Sequence, residues 1–145
     1  MYDTILVPTD GSSAVVEAVE RAVDLAERYD ATVHALYVVD SSAYGTLDTS
    51  TSVVVDALED EGETAVNYVA DEAEAAGVPV ETAVVTGTPH RTIMDYVDDH
   101  DVDMVVMGTH GRRGFDRFLL GSVTEKVVRT APVPVLTVRV PDEAE

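Results

Sequence analysis

Met104-Val105-Val106-Met107-Gly108-Thr109-His110-Gly111-Arg112-Arg113-Gly114, running on to Gly121-Ser122-Val123-Thr124, is the stretch of this 145-residue chain that decides its fold. The apolar run Met104 to Met107 reads as a buried strand, the glycines after it as a loop, and Val123, Val127 and Val128 carry helical spacing. Strand, glycine loop and helix in that order make a phosphate-binding arrangement. Glycine lets the backbone take positive φ and approach a ligand closely, and the free N–H groups opening the helix near Ser122 offer partial positive charge to an anion.

Outward from this stretch, strands and helices alternate. Ile5-Leu6-Val7, within Tyr2 to Pro8, is a short buried strand, followed by the turn Thr9-Asp10-Gly11-Ser12. The next helix turns Val16, Val19, Val23 and Ala26 inward and carries Glu17 with Arg21, and Asp24 with Arg28, at i,i+4 spacing. A second strand spans Thr32 to Val39. Ser41 to Ser52, rich in Ser and Thr, reads as a mobile loop suited to a lid. A long helix follows with Val55, Leu58, Ala65, Val69, Ala73 and Ala76 on one side, ended by Gly77. Val78 to Val85 is strand three. Thr88 then caps a third helix with Pro89 at its first position and Ile93, Met94 and Val97 inward. The fourth strand, the glycine loop, the helix from Ser122 and a last strand from Pro134 to Val140 complete the chain. Residues 1–141 form one domain, and the acidic tail Asp142 to Glu145 frays.

Five strands alternating with four helices imply an α/β three-layer sandwich, a parallel sheet covered on both faces with right-handed crossovers. Few strand orders suit such a sheet. In the order 3-2-1-4-5 the winding reverses between strands 1 and 4, and ligands bind outside the carboxyl ends of the strands at that reversal. Pro8-Thr9-Asp10 and Gly108 would face each other there.

Charge narrows the partners. With 28 acidic and 9 basic residues the formal net charge is −19. Arg112, Arg113, Arg117, Lys126 and Arg129 nevertheless gather five of the nine basic residues in one stretch of eighteen, and Tyr29 to His90 holds none. The local field can therefore oppose the global one, although the same arginines also serve to solubilise an exposed loop. No basic face suits nucleic acid. An acid excess with Lys126 as the single lysine fits a halophilic, high-salt cytoplasm, where screening relieves self-repulsion. Periodic hydrophobic runs, 46% hydrophobic residues in all, argue against disorder, and the absence of cysteine excludes disulfides. Met1-Tyr2-Asp3-Thr4 lacks the features of a signal peptide, and no run approaches the ~20 apolar residues of a membrane span. A soluble cytoplasmic protein is expected.

Gly108, Gly111, Gly121 and Ser122 stand at the spacing G-2x-G-9x-G-[ST], and by them the chain resembles the ATP-binding branch of the universal stress proteins. Ile5 to Asp10 resembles that family's opening strand and Pro132-Val133-Pro134-Val135-Leu136 its closing one, so the likeness spans the chain. It implies a Rossmann-like fold of the adenine nucleotide alpha hydrolase type, with the strand order above. By position it implies Pro8, Thr9 and Asp10 at the adenosine end and Val38 against the adenine. Met107 and Gly108 would lie beneath the ribose and phosphates, with Gly111, Gly121, Ser122, Val123 and Thr124 cradling the phosphates through N–H and hydroxyl groups. Arg112 and Arg113 supplement the motif without being fixed by it.

The implied cofactor is ATP or another adenine nucleotide, with Mg or Mn; Asp10 is a chemically reasonable ligand for a phosphate-bound Mg²⁺. Asp10-Gly11-Ser12 and Gly121-Ser122 also serve as plain helix starts, and Val38 and Met107 as core residues. The leading reading is a nucleotide-dependent regulatory or protective module of the stress response that acts on a downstream protein. A slow ATP hydrolase or phosphotransferase, with His110 as its only candidate, and a nucleotide-free dimeric scaffold are the alternatives. Strand 5, an edge with apolar Val135, Leu136 and Val138, would pair with a second copy through the residues up to Val140.

Overall fold

The computed structural model describes residues 2–12, 15–40, 51–109 and 121–139, with the backbone alone over 51–55. Its elements are β1 (Thr4–Thr9), α1 (Val15–Tyr29), β2 (Thr32–Asp40), α2 (Thr51–Ala75), β3 (Val80–Gly87), α3 (Pro89–Asp99), β4 (Met104–Gly108), α4 (Ser122–Thr130) and β5 (Val135–Val138). All strand pairs are parallel and the order is β3-β2-β1-β4-β5, as the alternating pattern implies.

A strand buried on both faces needs apolar residues at successive positions rather than alternate ones, and β1 shows why. Ile5 and Val7 join one apolar cluster with Val19, Val23, Ala65, Val66 and Val69, while Leu6 joins the other with Leu36, Ile93, Val97, Val105 and Val127. Helices α1 and α2 therefore cover one face, and α3 and α4 the other. β2 divides in the same way, with Val33, Ala35, Tyr37 and Val39 toward α1 and α2, and Leu36 and Val38 toward α3. At the amino-terminal edge the Asp103 carboxylate accepts hydrogen bonds from the backbone N–H of Asp3 (2.8 Å) and Thr4 (3.0 Å), which ties the start of β1 to β4.

Helix ends follow their local chemistry. Gly77 takes φ +74°, its N–H donates to the Glu74 carbonyl and the Val78 N–H to the Ala73 carbonyl, so α2 closes in a Schellman motif on the expected residue. Thr88 is the N-cap of α3 and Pro89 opens it, as expected, although the Thr88 side chain makes no capping bond. The apolar faces also shift slightly. α1 buries Val15, Ala18, Val19, Ala22, Val23 and Ala26, leaving Val16 only partly covered, and Val128 on α4 is 44% exposed. In a valine-rich helix several residues fit a 3.6-residue stripe, and only packing selects among them. Of the proposed lid Ser41 to Ser52, the last two residues belong to α2 and 41–50 lie outside the described residues, as do Val140 and the acidic tail.

At Gly62 the α2 backbone runs close over the side chains of β2 and β3. A Cβ there would sit 2.7 Å from Cδ1 of the buried Tyr37 ring and 3.0 Å from Val84 Cγ1. Replacing Gly62 by Val is expected to lower unfolding stability by about 1–3 kcal/mol through overpacking, measurable by urea denaturation, despite the better helix propensity of Val.

Candidate nucleotide site at the carboxyl edge of the sheet

The sheet opens where its winding reverses. Register pairs join β1 to β2 from Thr4↔Thr32 to Thr9↔Tyr37, but join β1 to β4 only at Ile5↔Met104 and Leu6↔Val105. Val7 to Thr9 and Val106 to Gly108 thus end side by side without a ladder between them, at the crevice expected of this topology.

On the β1 side the backbone turns sharply. Gly11 has φ +81°, and the two side chains before it serve the turn: Thr9 Oγ1 accepts the Gly11 N–H (3.1 Å) and Asp10 Oδ1 accepts the Ser12 N–H (2.9 Å). Thr9 is buried, whereas Pro8 and Asp10 are half-buried. Asp10 is thereby oriented by an Asx-type turn, in which one carboxylate oxygen is already engaged. No group of three or more His, Cys, Asp or Glu among the described residues could hold a metal by itself.

On the β4 side the two ends of the glycine stretch are tied together. The Thr109 N–H donates to the Val138 carbonyl (3.0 Å), and the Thr109 carbonyl accepts the Gly121 N–H (2.7 Å). Thr124, only 5% exposed, donates its hydroxyl to the Gly108 carbonyl at 3.0 Å. Together these bonds set the first turn of α4 over the end of β4. Gly121, the residue before α4, brings no side-chain cap, and among the described residues nothing accepts from the N–H groups of Ser122, Val123 and Thr124, the donors that every helix start leaves over. Glu125, the next residue, already donates to the Gly121 carbonyl at 2.9 Å. Such a helix end, with its positive dipole pole, is an anion site.

Of the residues expected from sequence, Pro8, Thr9, Asp10, Met107, Gly108, Gly121, Ser122, Val123 and Thr124 come to this edge of the sheet. Val38 lies further along it on β2, packed with the α3 face, and Met107 is buried in that same cluster. Gly111, Arg112, Arg113 and His110 lie outside the described residues. The expected role of Thr124 needs dividing: its hydroxyl holds Gly108, which leaves its N–H rather than its side chain for an anion. Thr109 was not foreseen; it works through backbone groups that any residue would supply, so its side chain gave no signal.

A groove lies elsewhere, between α1 and α2. Its volume is about 320 Å³ and Glu20, Asp24, Glu27 and Glu72 rim it, a charge that repels phosphate.

A model of the Universal stress protein family matches residues 1–139. The chain belongs to the universal stress protein family. A universal stress protein of Methanocaldococcus jannaschii is 39% identical over 143 residues, covering 97% of this chain and 84% of that protein. Among solved structures, that of the hypothetical protein MJ0577 superposes with a TM-score of 0.89 at 30% identity, covering 99% of both chains. A universal stress protein in complex with cAMP gives 0.72 at 27% identity, covering 97% of this chain and 98% of that one.

Thr124→Val keeps the shape but leaves the Gly108 carbonyl without its donor. A loss of about 1–3 kcal/mol in unfolding stability is expected, with Thr124→Ser close to the parent, both read by denaturant titration.

Proposed function

We propose that this universal stress protein binds an adenine nucleotide, ATP with Mg or Mn in the leading case, between the β1 turn and the start of α4, and acts as a nucleotide-dependent regulatory module. The observation that carries this reading is the start of α4, where no described residue accepts from the N–H groups of Ser122, Val123 and Thr124, beside the β1 and β4 ends where the ladder stops. The related protein solved with cAMP supports an adenine nucleotide as the ligand class. In this reading Pro8, Thr9 and Val38 contact the adenosine, Met107 and Gly108 underlie the ribose, and Gly111, Gly121 and Arg112 join the α4 donors around the phosphates. Asp10, already oriented by the Ser12 N–H, supplies a carboxylate to a metal ion carried by the phosphates; an ion held that way needs no larger protein cluster.

Gly121 provides a clean test because its φ of −60° and ψ of 154° suit any residue. Gly121→Val should leave the thermal midpoint within a few degrees of the parent while placing a branched side chain where the phosphates approach. ATP affinity measured by calorimetry in high salt is expected to fall at least about tenfold, about 1.4 kcal/mol. Unchanged affinity would mean the nucleotide sits elsewhere.

We further propose that the protein is a homodimer joined at β5. This edge strand pairs with β4 on one side only, and Leu136 is 38% exposed on it. Covering such an edge with its own copy satisfies the backbone groups by a closed twofold contact. Leu136→Lys should convert a dimer to a monomer in sedimentation equilibrium at high salt. The acidic composition supports a high-salt cytoplasm as the setting. No described helix is long and apolar enough to cross a membrane.

A further inference from the structure

On the other edge of the sheet, at the amino-terminal ends of the strands, β2 and α3 bring together side chains that are 62 residues apart in the chain or more. His34, 7% exposed, has Nδ1 2.6 Å from the hydroxyl of Tyr96, itself 8% exposed. The His100 ring stacks on Tyr96 with centroids 3.7 Å apart and planes at 15°, and its centroid is 5.8 Å from that of His34. His100 Nδ1 lies 3.2 Å from the Tyr96 backbone carbonyl. A carbonyl only accepts, so this nitrogen carries its hydrogen and Nε2 is the atom that takes up a further proton.

Nothing in packing alone asks for this arrangement. His34 lies on the strand face whose neighbours Leu6 and Leu36 are wholly buried and apolar, and a third aliphatic side chain would fill such a place without a hydrogen-bond requirement. We infer that His34, Tyr96 and His100 form a proton-sensitive latch that fastens the last turn of α3 to β2. With His34 neutral, the phenol O–H donates to Nδ1. A proton on Nδ1 removes that acceptor, so the phenol must turn to accept instead, and an imidazolium is left in a buried place. Protonation of His100 sets a second positive charge one ring away.

The surrounding groups offer little relief. From β1 the register partner of His34 is Leu6; from β3 it is Glu81, whose side chain is exposed; from α3 come Tyr96 and His100. Burial pushes His34 below the ordinary imidazole range, Glu81 works against that shift and His100 adds to it. Burial likewise pushes the Tyr96 phenol up, aided by Glu81, so it remains a donor throughout the neutral range. In the unfolded chain His34 titrates near about 6.5, above its folded value, so the unfolded chain takes the proton first. The latch therefore stabilises the fold fully above about pH 6.5, and that contribution is lost as pH falls from there toward the folded value.

Two measurements on the full chain in constant high salt test the latch. Ring-proton NMR between pH 8 and 5 should show His34 titrating below its ordinary value of 6.5; titration at or above 6.5 would overturn the inference. Urea unfolding should give a midpoint that falls between pH 7.5 and 5.5 in the parent, with at least half of that fall absent in His34→Gln. An equal fall in both would also overturn it. Should His34→Gln not fold, Tyr96→Phe gives the second arm: with the hydroxyl gone, amide protection factors across 96–100 at pH 7.5, corrected for the intrinsic exchange rate, should fall below those of the parent at the same pH, and unchanged protection would count against the latch.

Discussion

One part-buried hydrogen bond holds the candidate site in shape, that from the Thr124 hydroxyl to the Gly108 carbonyl. The last carbonyls of a parallel strand need partners, and so do the first N–H groups of a helix. By using a side chain of the third helical residue to satisfy the strand, the chain draws on no backbone N–H of that helix. The Thr109 carbonyl takes the Gly121 N–H, so the approach to α4 is fastened, and no described residue accepts from its opening N–H groups. The phosphate-binding reading and the crevice between β1 and β4 both depend on that division of labour.

The site also has to work inside a strongly acidic protein. A net charge of −19 disfavours any polyanion at long range. Backbone donors at a helix start act over a turn or less, where they are strongest, whereas the repulsive field acts over a Debye length, about 3 Å at 1 M salt. High salt thus removes the unfavourable component and leaves the favourable one. The acid-rimmed groove between α1 and α2 lies on the face of the sheet opposite α4.

The strand order, the helix count and the position of the crevice were all legible in the sequence. Each rests on a long periodic segment or on a fixed set of glycines, and Gly77 closing α2 was legible for the same reason. What was not legible depended on packing or on space. Val15 and Val16 fit the same helical stripe, and only the sheet beneath α1 decides which is buried. Thr88 has a good capping residue's chemistry, yet its hydroxyl is not used. Thr124 has a hydroxyl in a phosphate motif, and nothing in the motif says that the hydroxyl turns inward to Gly108. The meeting of His34 and His100 has no sequence signal, because their proximity exists only across the β2–α3 contact.

The central claim is that an adenine nucleotide sits between the β1 turn and the start of α4. The most direct measurement is an amide NMR titration of the isotopically labelled chain with ATP and Mg²⁺ in high salt. The account predicts that the largest shifts fall on the N–H groups of Thr9 to Ser12 and of Ser122 to Thr124. Saturable shifts confined to other elements, or none at millimolar ATP, would contradict it.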